Sequence, residues 1–331
     1  MPGSDTAPAQ TVPKHAKQTC AADPRWGCAP ADRDLAARVD WGVVVLDKPS
    51  GPTSRRAADI VRRLLRASKV GHGGTLDPRA SGVLPVLLGR ATRAASPLIG
   101  CDKAYDGLLV LHGDVPEDDL RDAMRGFVGV VRQVPPRRSR VKREERERRV
   151  HEFETTGREG RLVRFSVRCQ GGTYIRKLVH DLGLQLGCGA HMRELRRTAA
   201  GPFTLDEAVK LEDVRAAVAA LRDGDEGPVR GLILQAEEAL ARVLPAVVAD
   251  DGAVEPICGG ALLAAPGVCA LDDFAAGQEV VVLTLKGELI GLGEALMESR
   301  QILQVDHGHA VAVHRVLMPR GTYPRGPLGA A

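Results

Sequence analysis

Gly71-His72-Gly73-Gly74-Thr75-Leu76-Asp77-Pro78 sets one carboxylate in a stretch that no regular element can accommodate. From His72 to Gly82 there are three glycines and a proline, too many breakers for a helix or strand. Glycines at 73 and 74 allow a ligand to approach the backbone closely. Pro78 fixes the chain just after the acid, and Val83 to Leu88 reads as a buried strand that anchors it. An acid before a proline can simply cap a turn. Reactive acids are also often set on loops held by rigid elements, so the neighbours must decide.

Working outward, Trp41-Gly-Val-Val-Val-Leu46 reads as a strand, ended by the loop Asp47-Lys48-Pro49-Ser50-Gly51-Pro52. Thr53 or Ser54 then caps a helix whose apolar face carries Ile60, Val61, Leu64 and Leu65. Tyr105 to Leu111 and Leu162 to Cys169 read as strands, the second by strict alternation, and 150–155 as a further short one. Helices are expected over Glu117 to Phe127, Tyr174 to Leu186, and near 211–221 and 235–243. From Pro245 the character changes to short strands with turns: 246–249, 268–271, 279–284, 288–295 and 310–316. Residues 1–35 show no period and read as a mobile or draped arm.

Bulk composition narrows the class. At 331 residues and 44% hydrophobic there is material for one large domain and a smaller one. The formal charge of +4 says little, but nine Arg or Lys stand against three Glu between Arg132 and Arg149. That stretch is either a solvated face or a phosphate-binding one. The seven cysteines form no C-x-x-C pair, which argues against a zinc ribbon or disulfide framework and reads as free thiols in a reducing cytoplasm. No apolar run approaches the roughly 18 residues needed to span a membrane. The chain reads as a soluble cytoplasmic protein.

Three features give Asp77 company. Lys103-Ala104-Tyr105 begins a strand with one of only three tyrosines. Gly172-Thr173-Tyr174-Ile175-Arg176 puts an arginine in the first turn of a helix, against the dipole. A carboxylate partner is its natural reason to be there, since a guanidinium keeps an acid ionised. Leu195-Arg196-Arg197-Thr198 sets an apolar residue before paired cations, ahead of Gly201-Pro202-Phe203.

Together with Asp47-Lys48-Pro49, these motifs in this order resemble the TruB family of pseudouridine synthases. Leu111-His112-Gly113-Asp114-Val115-Pro116, Gly189-Ala190-His191-Met192 and Pro24-Arg25-Trp26-Gly27 resemble the archaeal dyskerin branch in particular. The resemblance implies an α+β fold: a mixed, largely antiparallel sheet flanked by helices, with a small all-β PUA domain. It implies an N-terminal extension (1–35), a catalytic domain (36–244) with a basic thumb loop (131–150), a PUA domain (245–320) and a tail (321–331).

The activity it implies is isomerisation of uridine to pseudouridine in RNA. Asp77 matches the nucleophile, attacking C1′ of the sugar or C6 of the base, and Arg176 its ion partner. Tyr105 matches the aromatic that stacks on the base and assists proton removal at C5. His72, Leu195, Lys48 and Ile175 fall in the substrate-binding set. Arg138, Arg140, Lys142 and Arg143 match the RNA-binding thumb, and Gly259 and Gly260 the glycine-rich entry of the PUA module. No cofactor and no metal is expected. The implied partners are an H/ACA guide RNA with rRNA as substrate, tRNA through its T-loop uridine, and three small H/ACA ribonucleoprotein proteins. A catalytically silent RNA-binding scaffold and an unrelated α/β enzyme with a catalytic Asp are the competing readings.

Overall fold

The computed structural model describes residues 13–134 and 144–324. They fall into two compact units. One takes Val44–Leu88 and Ala95–Leu232; the other takes the chain up to Val43, Gly89–Ala94, and the chain from Ile233 onward.

The first unit is built on a curled mixed sheet. Its strand order is Gly42–Lys48, Ser81–Leu88, Ala190–Ala200, Lys103–Leu111, Leu162–Cys169, Arg146–Glu159 and Gly129–Gln133. Ser81–Leu88 runs parallel to Ala190–Ala200, and the pairs from there to Gly129–Gln133 are antiparallel. Alternation along Leu162–Cys169 buries Val163, Phe165, Val167 and Cys169 on one face. Phe165 packs edge-to-face on Phe153 at 5.7 Å. The helix Ile175–Gln185 lays Leu178, Val179 and Leu182 into the same core, and Tyr105, Leu76 and Ala80 belong to it too.

The central strand Ala190–Ala200 has no counterpart in the sequence reading. Its polar run His191-Met-Arg-Glu-Leu-Arg-Arg-Thr198 hides the period-2 signal, because charged residues occupy both faces. Close strand approach depends on Gly82, whose φ is +105°. A Cβ there would lie 2.1 Å from the Arg197 carbonyl oxygen. The hairpin strand expected at 150–155 is longer, Arg146–Glu159, and pairs Gln133 with Arg146 across its open end.

The second unit carries a seven-stranded sheet. Its order is His15–Ala16, Val268–Leu271, Ala246–Ala249, Glu279–Leu283, Leu289–Ala295, His309–Val316 and Leu263–Ala264. Its core gathers Val247, Val254, Ile257, Val268, Val280, Val282, Ile290 and Val311. Two helices accompany these strands, Asp251–Cys258 and Ser299–Gln304, where the sequence reading has only strands and turns. Pro256 inside the first of them suppressed the helical signal.

The described part of the N-terminal arm is draped. His15–Ala16 pairs antiparallel with Val268–Leu271, which brings Cys20 to Cys269, and the two form a disulfide. The reading of seven free thiols is therefore corrected to five. A pairing across 249 residues leaves no trace in local spacing. Among the described residues no helix is long and apolar enough to cross a membrane.

Candidate active site

Asp77 lies between the strands Val70–His72 and Ser81–Leu88, which pair with each other. Its loop is tied down residue by residue. The Gly73 N–H donates to the Pro85 carbonyl at 2.8 Å, and the Asp77 carbonyl accepts from the Ala80 N–H at 3.0 Å. Buried Leu76 donates its N–H to Ser54 Oγ at 2.7 Å, and its carbonyl accepts from the same hydroxyl at 2.9 Å. Gly74 has φ +125°, a conformation open to glycine and strained for other residues. The backbone around the acid is thus fixed while its side chain remains 45% exposed.

Arg176 occupies the first turn of Ile175–Gln185, a helix whose Tyr174 N-cap makes no side-chain bond. Gln133 instead pins the cap residue itself: its Oε1 accepts from Tyr174 N at 2.9 Å and its Nε2 donates to the Tyr174 carbonyl at 3.3 Å. Buried Ile175 anchors the turn in the core. Arg176 Nη2 donates to Asp77 Oδ2. The helix dipole disfavours a cation here, and the carboxylate offsets it.

Tyr105 is only 8% exposed and stands opposite Val167 on one neighbouring strand and Arg197 on the other. Burial pushes its phenol pKa up, and the Arg197 charge opposes that push. Leu195 lies on the same neighbouring strand, opposite Gly107, packed at the margin of the core. Lys48 is fully buried beneath the loops: its Nζ donates to the carbonyls of Pro49 at 2.8 Å and Pro52 at 2.9 Å. Burial lowers its pKa, and the Arg197 charge adds to the effect. Burial and the Arg197 charge likewise lower the pKa of His72, which favours the neutral ring. The His72 Nδ1 is buried with no hydrogen-bond partner among the described residues.

The TruB family pseudouridylate synthase N-terminal domain matches residues 62–175, and the tRNA pseudouridylate synthase B C-terminal domain matches 176–241. A DKCLD domain matches 12–57 and a PUA domain 245–317. The chain is 47% identical over 305 residues to the probable tRNA pseudouridine synthase B of Methanothermobacter thermautotrophicus, covering 92% of this chain and 94% of that protein. The chain belongs to the TruB family of pseudouridine synthases. The homologue from Korarchaeum cryptofilum is 46% identical over 302 residues, covering 90% of this chain and 93% of that one. Among solved structures, the archaeal box H/ACA Nop10-Cbf5 complex superposes with a TM-score of 0.84 at 41% identity, covering 94% of this chain and 97% of that one. A Cbf5-Nop10-Gar1 complex gives 0.84 at 44% identity, covering 95% of each chain.

The chain is an RNA pseudouridine synthase of the TruB/Cbf5 type, an isomerase. Lys48, His72, Asp77, Tyr105, Ile175, Arg176 and Leu195 all fall in one compact unit, with Asp77 and Arg176 in direct contact. Gly259 and Gly260 lie in the other unit, exposed at the end of the helix Asp251–Cys258, with Gly260 at φ +99°. Arg138, Arg140, Lys142 and Arg143 lie outside the described residues. Sequence reasoning missed Ser54, Gln133 and Arg197. Only Arg197 had left a signal, as half of a paired cation on an unrecognised strand. Arg196, its neighbour, turns the other way to grip Asp47 through two bonds of 3.1 and 2.9 Å. The one group of potential metal ligands among the described residues is Cys20, Asp250 and Cys269, two of which are bonded to each other.

Proposed function

We propose that this TruB-family synthase is the catalytic subunit of a guide-RNA-directed particle, with Asp77 as nucleophile, Arg176 as its ion partner and Tyr105 as the base platform. The observation that carries the residue roles is the Asp77–Arg176 contact, made by a loop held by four hydrogen bonds beside a buried tyrosine. In the reaction the N1–C1′ bond of uridine breaks, the base turns, C5 joins C1′, the proton on C5 leaves to solvent and N1 takes up a proton. Asp77 attacks C1′ or C6, Tyr105 faces the base, and Leu195 walls the pocket. Lys48 supports the catalytic loop, and His72 lies near the flipped nucleotide. The nucleotide must first leave its stack, at a cost of a few kcal/mol.

The domain assignment belongs to the same proposal: residues 36–244 catalyse, 245–320 form the PUA module, and the basic segment 131–150 neutralises phosphates. Full-length similarity to the protein of the Nop10-Cbf5 and Cbf5-Nop10-Gar1 complexes supports an H/ACA guide RNA and small protein partners of that kind. A related structure is of an H/ACA ribonucleoprotein bound to substrate RNA. The curated relatives, named as probable tRNA pseudouridine synthases, support a second, guide-independent activity on tRNA. A cytoplasmic location is part of this reading. The test is tritium release from RNA labelled at uridine C5, with tRNA alone and with guide, target and partners. Release only with guide and partners supports the particle, release from tRNA alone supports the second activity, and no release from folded protein overturns both.

A further inference from the structure

Arg197 is the largest fully buried side chain among the described residues, at 1% exposure. Among the described residues no carboxylate pairs with it. Lys48 and Lys103 lie within reach of its charge, so two further basic side chains share its dry surroundings. An uncompensated buried charge costs several kcal/mol. Stability alone is a poor reason to keep it there.

Its bonds indicate another reason. Nε donates to the Val83 carbonyl at 2.7 Å and Nη2 to the Gly74 carbonyl at 3.1 Å. The strand register sets Arg197 directly opposite Tyr105, close enough for its charge to act on the phenol. Gly74 begins the three-residue run to Asp77, and Val83 lies on the strand that leaves that loop.

We propose that Arg197 is a positioning residue, whose single guanidinium ties the acid's loop to the strand after it directly across from Tyr105. The inference rests on the roles assigned above to Asp77 and Tyr105. It sets the separation of nucleophile and base platform before any nucleotide enters, which is what near-attack geometry requires. A lysine cannot replace it, because an ammonium lacks the planar fork that reaches divergent acceptors. Nor can Arg197 act by gripping phosphate, since it does not reach the surface.

The test uses the full-length protein, with whichever RNA the wild type turns over, and single-turnover tritium release. Arg197→Lys and Arg197→Met are measured alone and on a Tyr105→Phe background, with RNA Kd and Tm alongside. The expected result is a rate loss of about 100-fold in both single variants, with Kd within about threefold of wild type. Lysine should recover the Tm without recovering the rate. On the Tyr105→Phe background the additional loss should shrink at least tenfold, as groups acting together are not additive. A rate within threefold of wild type in either variant overturns the proposal, and so does a loss of the same size on both backgrounds. If the methionine variant does not fold, the lysine cycle decides alone. If the wild type itself releases nothing, the site reading falls and this proposal with it.

Discussion

Ser54 and Leu76 are bound to each other twice: the serine hydroxyl accepts from the Leu76 N–H at 2.7 Å and donates to the Leu76 carbonyl at 2.9 Å. One buried side chain thereby satisfies both backbone groups of the residue before Asp77. Ser54→Ala should cost about 1–3 kcal/mol of stability, because both groups are left buried and unpaired. It should also slow tritium release by about tenfold or more as the acid loses its register. Thr53→Ala is the control. It removes only the helix cap, in which Thr53 Oγ1 accepts from Arg56 N at 3.1 Å, and should cost about 1 kcal/mol with the rate unchanged. Equal rates in the two variants would dissociate Ser54 from catalysis.

The Asp77–Arg176 pair should behave in the opposite way. Its side chains are 45% and 58% exposed, and half-solvated pairs contribute under about 1 kcal/mol. Arg176→Met should therefore leave the Tm almost unmoved while reducing single-turnover release at least 100-fold. Asp77→Asn should abolish release with RNA affinity retained. Thermal melts and filter binding beside the rate assay separate these effects, and a large drop in Tm would make the pair structural.

Much of the architecture was legible because its signals are local. Alternation marked Leu162–Cys169, spacing marked Ile175–Gln185, and Ala246–Ala249 and Val268–Leu271 fall where the short apolar runs placed them. The site's acid and arginine were legible as oddities, a carboxylate among glycines and a cation at the wrong end of a helix. The supports were not. Ser54 acts on a residue 22 positions away and Gln133 on one 41 away, and an ordinary serine or glutamine carries no mark of such a task. Arg197 was hidden differently, by a strand whose charged sequence masks its period.

The basic segment makes a claim about salt. If Arg138, Arg140, Lys142 and Arg143 neutralise RNA phosphates, replacing all four by Ala should reduce the slope of log K against log salt by about 3. Arg132 is a poor substitute for them, since it already pairs with Glu147 at 3.2 Å. Binding measured across a salt series decides this, and an unchanged slope would remove the phosphate role.

Lys103 gives the fold a pH dependence of its own. It is 4% exposed, and burial pulls its pKa down to about 8 although its Nζ donates to the carbonyls of Leu98 at 3.0 Å and Cys101 at 2.7 Å. Between that value and the ordinary 10.5, the unfolded chain holds a proton that the folded chain has released. Stability from this group should rise with pH across the window, by about 1 kcal/mol for each pH unit. The buried thiols of Cys169 and Cys258, pushed up to about 11, work in the other direction at higher pH. The readout is therefore the difference between wild type and Lys103→Met in denaturant midpoints from pH 7.5 to 9.5. A flat difference would mean that the ammonium stays charged.

The Cys20–Cys269 disulfide is the element most exposed to chemistry outside the fold. It closes a chain separation of 249 residues, and native disulfides on this scale contribute roughly 2–5 kcal/mol. The arm it fastens is also held by a two-residue strand, by Lys17 N and Gln18 N donating to the Cys269 carbonyl at 2.8 and 3.3 Å, and by side-chain bonds such as Lys17 Nζ to the Ala265 carbonyl at 2.6 Å and His15 Nε2 with Asp273 at 2.8 Å. A reducing compartment opposes such a bond, so the strength of the arm's attachment becomes a function of redox state. Thiol titration of unfolded protein should find five groups before reduction and seven after. Reductant or Cys20→Ser should lower the melting temperature and speed amide exchange at Lys17 and Gln18. Cys28→Ser, at a free and exposed thiol, should do neither. Seven titratable thiols in the unreduced protein would show that strand pairing and side-chain bonds hold the arm without the disulfide, and reductant should then change nothing.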